Sequence, residues 1–252
     1  MRVETDSLMS TAWLLIYLVP IILAAVWAPI FIATMNSLVR TTAQLPTAQR
    51  FDALSSSIFA LLSVVYVIGA ISFIANVIFE YKLVKRRNTH FKRQSFLFED
   101  ILASVKAIAG KKGVNVEVGL GSADRTLREV KAEETEKNAV LWALLSAFVP
   151  IVVWYVWYFL MKDFYKHERR EDGFWEDTSK MLDKCGARFS VPRRMETVPD
   201  RSFALYLIVS IVTFGVFNIY WFYVLLKDPN HHFQYHIQIE DPLLSTLESA
   251  VA

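Results

Sequence analysis

Four long apolar stretches alternate with charged segments along the 252 residues, roughly Thr11 to Met35, Ser57 to Lys82, Asn138 to Lys162 and Phe203 to Lys227. At 1.5 Å of rise per residue, each is long enough as a helix to cross about 30 Å of hydrocarbon. After the second stretch, Phe91, Phe96, Leu97, Ile101, Leu102, Val105 and Ile108 recur every three to four residues, which predicts an amphipathic helix over Asn88 to Ala109. Gly110 to Gly113 would end it, and Val114, Val116 and Val118 alternate with Asn115 and Glu117 as in a short strand. Ser122 is placed as the N-cap of a charged helix reaching Lys137. Beyond the third stretch a short helical pattern covers Phe174 to Leu182, and Gly186, Pro192 and Pro199 mark an irregular connection.

The pattern therefore predicts an all-α integral membrane protein: four transmembrane helices as two repeated hairpins, with short amphipathic helical caps. Residues 1–82 form the first hairpin, 83–137 a soluble and mostly helical linker, 138–237 the second hairpin with its loop at 163–202, and 238–252 a C-terminal tail. The repeat rests on two sets of matches. Val19, Pro20, Ile21, Val26 and Trp27 return as Val149, Pro150, Ile151, Val156 and Trp157. Asn76, Tyr81, Leu83, Lys85, Asn88, His90 and Phe91 return as Asn218, Tyr223, Leu225, Lys227, Asn230, His232 and Phe233. The second set carries more weight, because Asn, Lys and His recur by chance in membrane segments less readily than Val or Leu. Every stretch also holds a helix breaker near its middle: Pro20, Gly69, Pro150 and Gly215. Kinks are the expectation, and the alternative is a segment that dips in and returns on the same side.

Composition agrees with a membrane class, since 54% of residues are hydrophobic and mean hydropathy is positive. The first stretch is too long for a cleaved secretory signal and lacks its basic lead-in, so it is expected to stay as an anchor. A net charge of +2 offers no argument for nucleic acid. The single cysteine, Cys185, allows neither an internal disulfide nor a cysteine metal cluster. No phosphate-binding loop, Gly-x-Ser-x-Gly elbow or His-Glu-x-x-His is present, and the chain leans away from an enzyme. Lys and Arg are split almost evenly between the two sides. The basic run Lys82, Lys85, Arg86, Arg87, Lys92, Arg93 tips the expectation toward a multi-pass cell-membrane protein with both termini and the central loop in the cytoplasm.

Candidate chemistry sits where the stretches end. Lys85 and His90, Lys162 and His167, and Lys227 and His232 share one spacing, and each His is followed nine residues on by an acid, Glu99, Glu176 or Asp241. In an ordinary four-span topology the second and fourth spans run parallel and the third runs opposite. His90 and His232 could then meet while His167 could not. His232 and His236 fall at i and i+4, with Asp228-Pro229 read as the start of their helix and Glu240 one turn further, a set able to chelate a metal. The position matching His236 in the first copy is Gln94, so the pair is not repeated. His90, His232, His236 and Glu240 are thus interfacial ligand candidates for a divalent metal or a lipid headgroup, although no cofactor is the first expectation. Asn76 and Asn218 are the intramembrane polar pair, expected to act as helix-to-helix glue or to mark a permeation path.

The run Val212-Thr-Phe-Gly-Val-Phe-Asn-Ile-Tyr-Trp-Phe-Tyr223, with Arg201, Lys227-Asp-Pro-Asn-His-His-Phe233 and Glu240-Asp241, resembles a family of small uncharacterised prokaryotic membrane proteins. Their spans end in Thr-x-Gly-[Ile/Val]-[Phe/Tyr]-x-[Ile/Leu]-Tyr-Trp-x-Tyr. The resemblance covers about forty C-terminal residues. The third stretch departs from it, with Val149-Pro150 where the fourth has Phe214-Gly215. It implies a multi-span membrane protein of no established activity. The expected role is a self-associating, non-enzymatic scaffold whose partners are the lipid bilayer and copies of itself or other membrane proteins. A small channel or transporter at the repeat interface is one alternative, and a metal- or headgroup-binding membrane enzyme is another.

Overall fold

In a computed structural model, residues 2–251 are described, and among them every regular element is helical. Helix α1 covers Arg2–Thr5, and a 3-10 turn at Thr11–Leu14 leads into α2, Leu15–Thr42. Helix α3 is Thr47–Lys112, α4 Glu117–Glu133, α5 Ala139–Phe148, α6 Pro150–Lys184, α7 Phe203–Val212 and α8 Phe217–Val251. Two of these elements are long and apolar enough to cross a membrane: Thr11–Thr42 and Thr47–Lys112. The chain forms two compact units, one being Ala12–Phe79 and the other the residues up to Thr11 together with those from Glu80 onward.

The Ala12–Phe79 unit holds α2, which passes through Pro20 and Pro29 without a break, and the apolar first part of α3. Trp13 packs on Phe79 with ring centroids 5.5 Å apart.

The larger unit is organised by three helices running the same way: α3 from Glu80, α6 and α8. Their shared direction follows from contacts that climb in step, Trp157 on Glu80, Asp163 on Arg87, His167 on His90 and Phe174 on Phe98. Likewise Trp221 meets Trp157, His232 meets His90 and Glu240 meets Arg93. Helix α4 returns antiparallel to α6. Gly119 lies where an added Cβ would come within 2.6 Å of Met181, so α4 approaches α6 at a point that only glycine fits. An apolar core of Phe98, Val105, Leu127, Val130, Phe174, Trp175 and Ile239 joins the four helices.

Several expectations change here. The third and fourth apolar stretches are not single helices. Val149 is extended (φ −125°, ψ 91°), as steric clash before proline requires, and Pro150 starts α6 as its first residue. Phe214 and Gly215 are left-handed (φ 50° and 86°) between α7 and α8. Each stretch is therefore a helical hairpin, closed by Trp142 on Tyr155 and Phe159, and by Tyr206 on Phe217 and Trp221.

Helices α3 and α8 run continuously through positions 82 and 237, the compact units dividing at Phe79 and Glu80 within α3, and residues 163–184 of the expected 163–202 loop belong to α6. Val114 to Val118 makes no strand, since no second strand among the described residues pairs with it. Instead Asn115 accepts a hydrogen bond from the Glu117 backbone N–H (3.0 Å) where α4 begins, and Ser122 lies inside α4. Asp228-Pro229 does not start a helix but lies within α8, with Asp228 paired to Arg201.

Candidate metal centre

Three parallel helices each present a histidine at the same level and a second polar side chain one turn on: His90 and Gln94 from α3, His167 and Glu171 from α6, His232 and His236 from α8. All four imidazoles are fully buried. The Nε2 atom of His90 lies 3.2 Å from that of His167 and 3.1 Å from that of His232, which lies 3.1 Å from that of His236. Each outer nitrogen meets its own carboxylate. His90 Nδ1 is 2.9 Å from Asp6, His167 Nδ1 2.8 Å from Glu134, His232 Nδ1 3.2 Å from Glu168 and His236 Nδ1 2.7 Å from Glu240.

This pattern assigns the tautomers. An ionised carboxylate only accepts, so an imidazole backed by one carries a proton on Nδ1 and, when neutral, leaves its Nε2 lone pair free. Without a cation the Nε2 of His236 is also protonated toward Glu171, 2.9 Å away. Nitrogen lone pairs 3.1–3.2 Å apart repel unless a cation or protons lie between them. Zinc–nitrogen bonds of about 2.05 Å put tetrahedral ligand atoms about 3.3 Å apart, close to these three separations, and all four ligand atoms lie within 4.8 Å of one another.

Charge leads to the same place. Glu171 is also buried, with Oε1 2.9 Å from His236 Nε2, and it accepts from Gln94 at 3.1 Å. Five carboxylates thus touch the imidazoles, whereas three guanidiniums answer them: Arg93 on Asp6 and Glu240, Arg170 on Glu134, and Arg194 on Glu168 and Glu171. Two negative charges remain. The proton affinities respond accordingly. Burial holds His90 and His232 well below the usual histidine range. Burial would also lower His236, but Glu171 and Glu240 outweigh it and raise that imidazole to about 9. Burial lifts Glu168 to about 7 against the pull of Arg194. Two protons, or one divalent cation, would balance the site.

On the side facing the apolar hairpins the centre is closed by aromatic rings. Phe91 stacks on His167 at 4.3 Å, Phe233 lies 4.4 Å from His90, and Phe164 completes the layer. Residues 201–244 match a domain of unknown function, DUF4234. No curated protein and no solved structure matches the chain. The DUF4234 segment supplies His232, His236 and Glu240, while His90 and His167 come from outside it.

Of the ligand candidates that the sequence suggests, His90, His232 and His236 converge, whereas Glu240 reaches the Nδ1 side of His236 rather than the common point. His167, expected to be excluded, joins them because the Val149–Pro150 break reverses the chain and sets α6 parallel to α3 and α8. The shared Lys-to-His spacing was its signal. Asp6, Glu134 and Glu168 carried none, since they are scattered along the chain among many other acids, whereas Glu171 stands four residues after His167 as His236 does after His232. The acids nine residues after His90 and His167 face outward, Glu99 on Lys131 and Glu176 on Lys180. Asn76 donates to the Ser72 carbonyl of its own helix (2.8 Å), and Asn218 is the second residue of α8, beside Gly215 of the preceding turn. Arg86, Arg87 and Arg93, half of the basic run read as a topology signal, are drawn into the interior by Asn230, Asp163 and Asp6.

Proposed function

We propose that this protein is a membrane-anchored metalloprotein in which one divalent transition-metal ion clamps α3, α6 and α8 into a scaffold. The observation that carries the reading is the convergence of four buried Nε2 atoms, each backed by a carboxylate on Nδ1. Carboxylates behind metal-bound histidines fix ring orientation and raise ligand basicity. An all-imidazole donor set suits zinc, copper, iron or nickel and not the hard cations calcium and magnesium, which take oxygen ligands. Four protein ligands with no exposed edge form a closed site, the mark of a structural ion rather than a hydrolytic one that keeps a position for water. The role is therefore non-enzymatic, in keeping with a self-associating membrane component. Helix Thr11–Thr42 and the part of Thr47–Lys112 that precedes Glu80 supply the spans, with the body from Glu80 onward on the cytoplasmic side.

Native mass spectrometry combined with elemental analysis of gently solubilised protein tests this. One transition-metal ion per chain, lost in both His90→Ala and His232→Ala, is expected. Protein that takes up no zinc, iron, copper or nickel at neutral pH overturns the metal reading. A strictly monomeric species with its ion bound overturns the self-associating role alone.

A further inference from the structure

The α5–α6 and α7–α8 hairpins share features that the metal centre does not use. No charged residue occurs from Ala139 to Met161 or from Phe203 to Leu226. Their turns push large apolar side chains outward: Ile151 is 68% exposed, Val212 69% and Phe214 98%. Phe214 does so from a left-handed backbone (φ 50°), a conformation costly for a bulky residue and not repaid by any burial of its ring. Outward-facing apolar residues continue down the arms, with Val140, Leu141, Leu144 and Tyr155 on one hairpin and Leu205, Ile208, Ile211 and Tyr220 on the other.

At the open ends the chemistry changes abruptly. Lys137 pairs with Asp163, Lys162 with Asp200, Arg201 with Asp228 and Lys227 with Glu196. Each arm of ten residues, α5 or α7, spans about 15 Å, half the thickness of a hydrocarbon core. An arm of this length cannot cross a bilayer, and apolar tips capped at one end by charge do not suit water.

We propose that both hairpins enter one leaflet of a lipid bilayer from the side of the metal-bearing body and turn back near its midplane. The occupant of their outer faces is acyl chain, and the ion-paired ends lie at the headgroups. Backbone groups at the two turns stay satisfied in this setting. The Val149 N–H bonds Leu145, Gly215 bonds Ser210, and Phe217 bonds the Thr213 hydroxyl. This assignment is independent of the ion.

Spin labels test it on the full chain in phosphatidylcholine–phosphatidylglycerol vesicles, in a Cys185→Ala background, at Phe214→Cys, Ile151→Cys and, as an aqueous reference, Arg169→Cys. Each variant is kept only if its buried-tryptophan emission matches the parent. The tips are expected to be accessible to oxygen and protected from a water-soluble nickel chelate, at a depth of about 15 Å below the phosphates. Nickel accessibility at the tips equal to that of Arg169→Cys overturns the proposal, because the hairpins then lie in water or pass through to the far side. Tips shielded from both quenchers overturn it as well, since a second copy of the chain or another protein then covers them.

Discussion

In the Ala12–Phe79 unit the large apolar side chains face outward, Ile22, Ile32, Phe59, Tyr66 and Ile71 among them. Arg50 at the start of α3 donates to carbonyls at the end of α2, whereas the polar side chains in mid-helix bond within the helix they belong to, as Ser72 to Ile68 and Asn76 to Ser72. From Glu80 onward the arrangement inverts. Histidines, glutamates and arginines sit inside, and most of their bonds run across helices, the His236–Glu240 pair along α8 excepted. One unit is built for a solvent that wets hydrocarbon. The other encloses a polar centre that an apolar core alone would not tolerate, because each buried charge there needs a partner. The contrast implies that changes in the body are severe and changes in the Ala12–Phe79 hairpin mild.

The sharpest way to break the contrast is His90→Ala. It removes a ligand and leaves Asp6 to its ion pair with Arg93, so bound metal should fall from one per chain to near zero. The body should lose on the order of 5 kcal/mol, combining a lost ion with a lost buried hydrogen bond and the cavity left by the ring. Guanidinium titration read by tryptophan emission checks this, because Trp157, Trp175 and Trp221 are all buried in that unit. Far-UV dichroism in micelles should show the apolar hairpin still helical. Arg194→Met comes next. It leaves Glu168 and Glu171 without their guanidinium and removes the cation lying 3.7 Å from the Tyr235 ring, for a loss of about 3–5 kcal/mol in the same titration.

Asp6→Asn is milder. It keeps the shape and the ligands but weakens the acceptor behind His90 Nδ1, so metal affinity measured by competition with a chelator should drop about 10–100-fold. Gly119→Ala leaves the centre alone and crowds Met181. A loss of about 1–3 kcal/mol with unchanged metal content would show that packing and coordination in the body can be separated.

How much of this was legible in the sequence depends on distance along the chain. Apolar length and periodicity identified an all-helical protein, the amphipathic continuation of α3, and the pair His232 and His236 on one face of α8, all of which depend on neighbours three to eight residues apart. The same rules misjudged the third and fourth stretches, because apolar length does not distinguish one long helix from two short ones. Pro20 and Pro150 have matching neighbours, yet α2 continues through the first and α6 begins at the second. That single reversal decides whether His167 can join the centre. Asp6, Glu134 and Glu168 were illegible for another reason. Each reaches its imidazole from a segment whose path is set by the packing of the whole body, and nothing local in the sequence marks it.

The smallest expected effect tests the other side of the contrast. Asn76 falls where an amide would be placed to hold two spans together, and loss of such a contact would impair assembly. Its Nδ2, however, donates to the Ser72 carbonyl one turn back, an acceptor already engaged within the helix. Intramembrane side-chain hydrogen bonds average about 0.6 kcal/mol even when they join two helices, and a bond back to the same helix joins none. Asn76→Leu should therefore leave stability within about 0.5 kcal/mol of the parent and leave the oligomeric state in native mass spectra unchanged. A shift to smaller assemblies would mean that the mid-helix amide of the hairpin binds across helices after all, and the two units would then differ in degree rather than in kind.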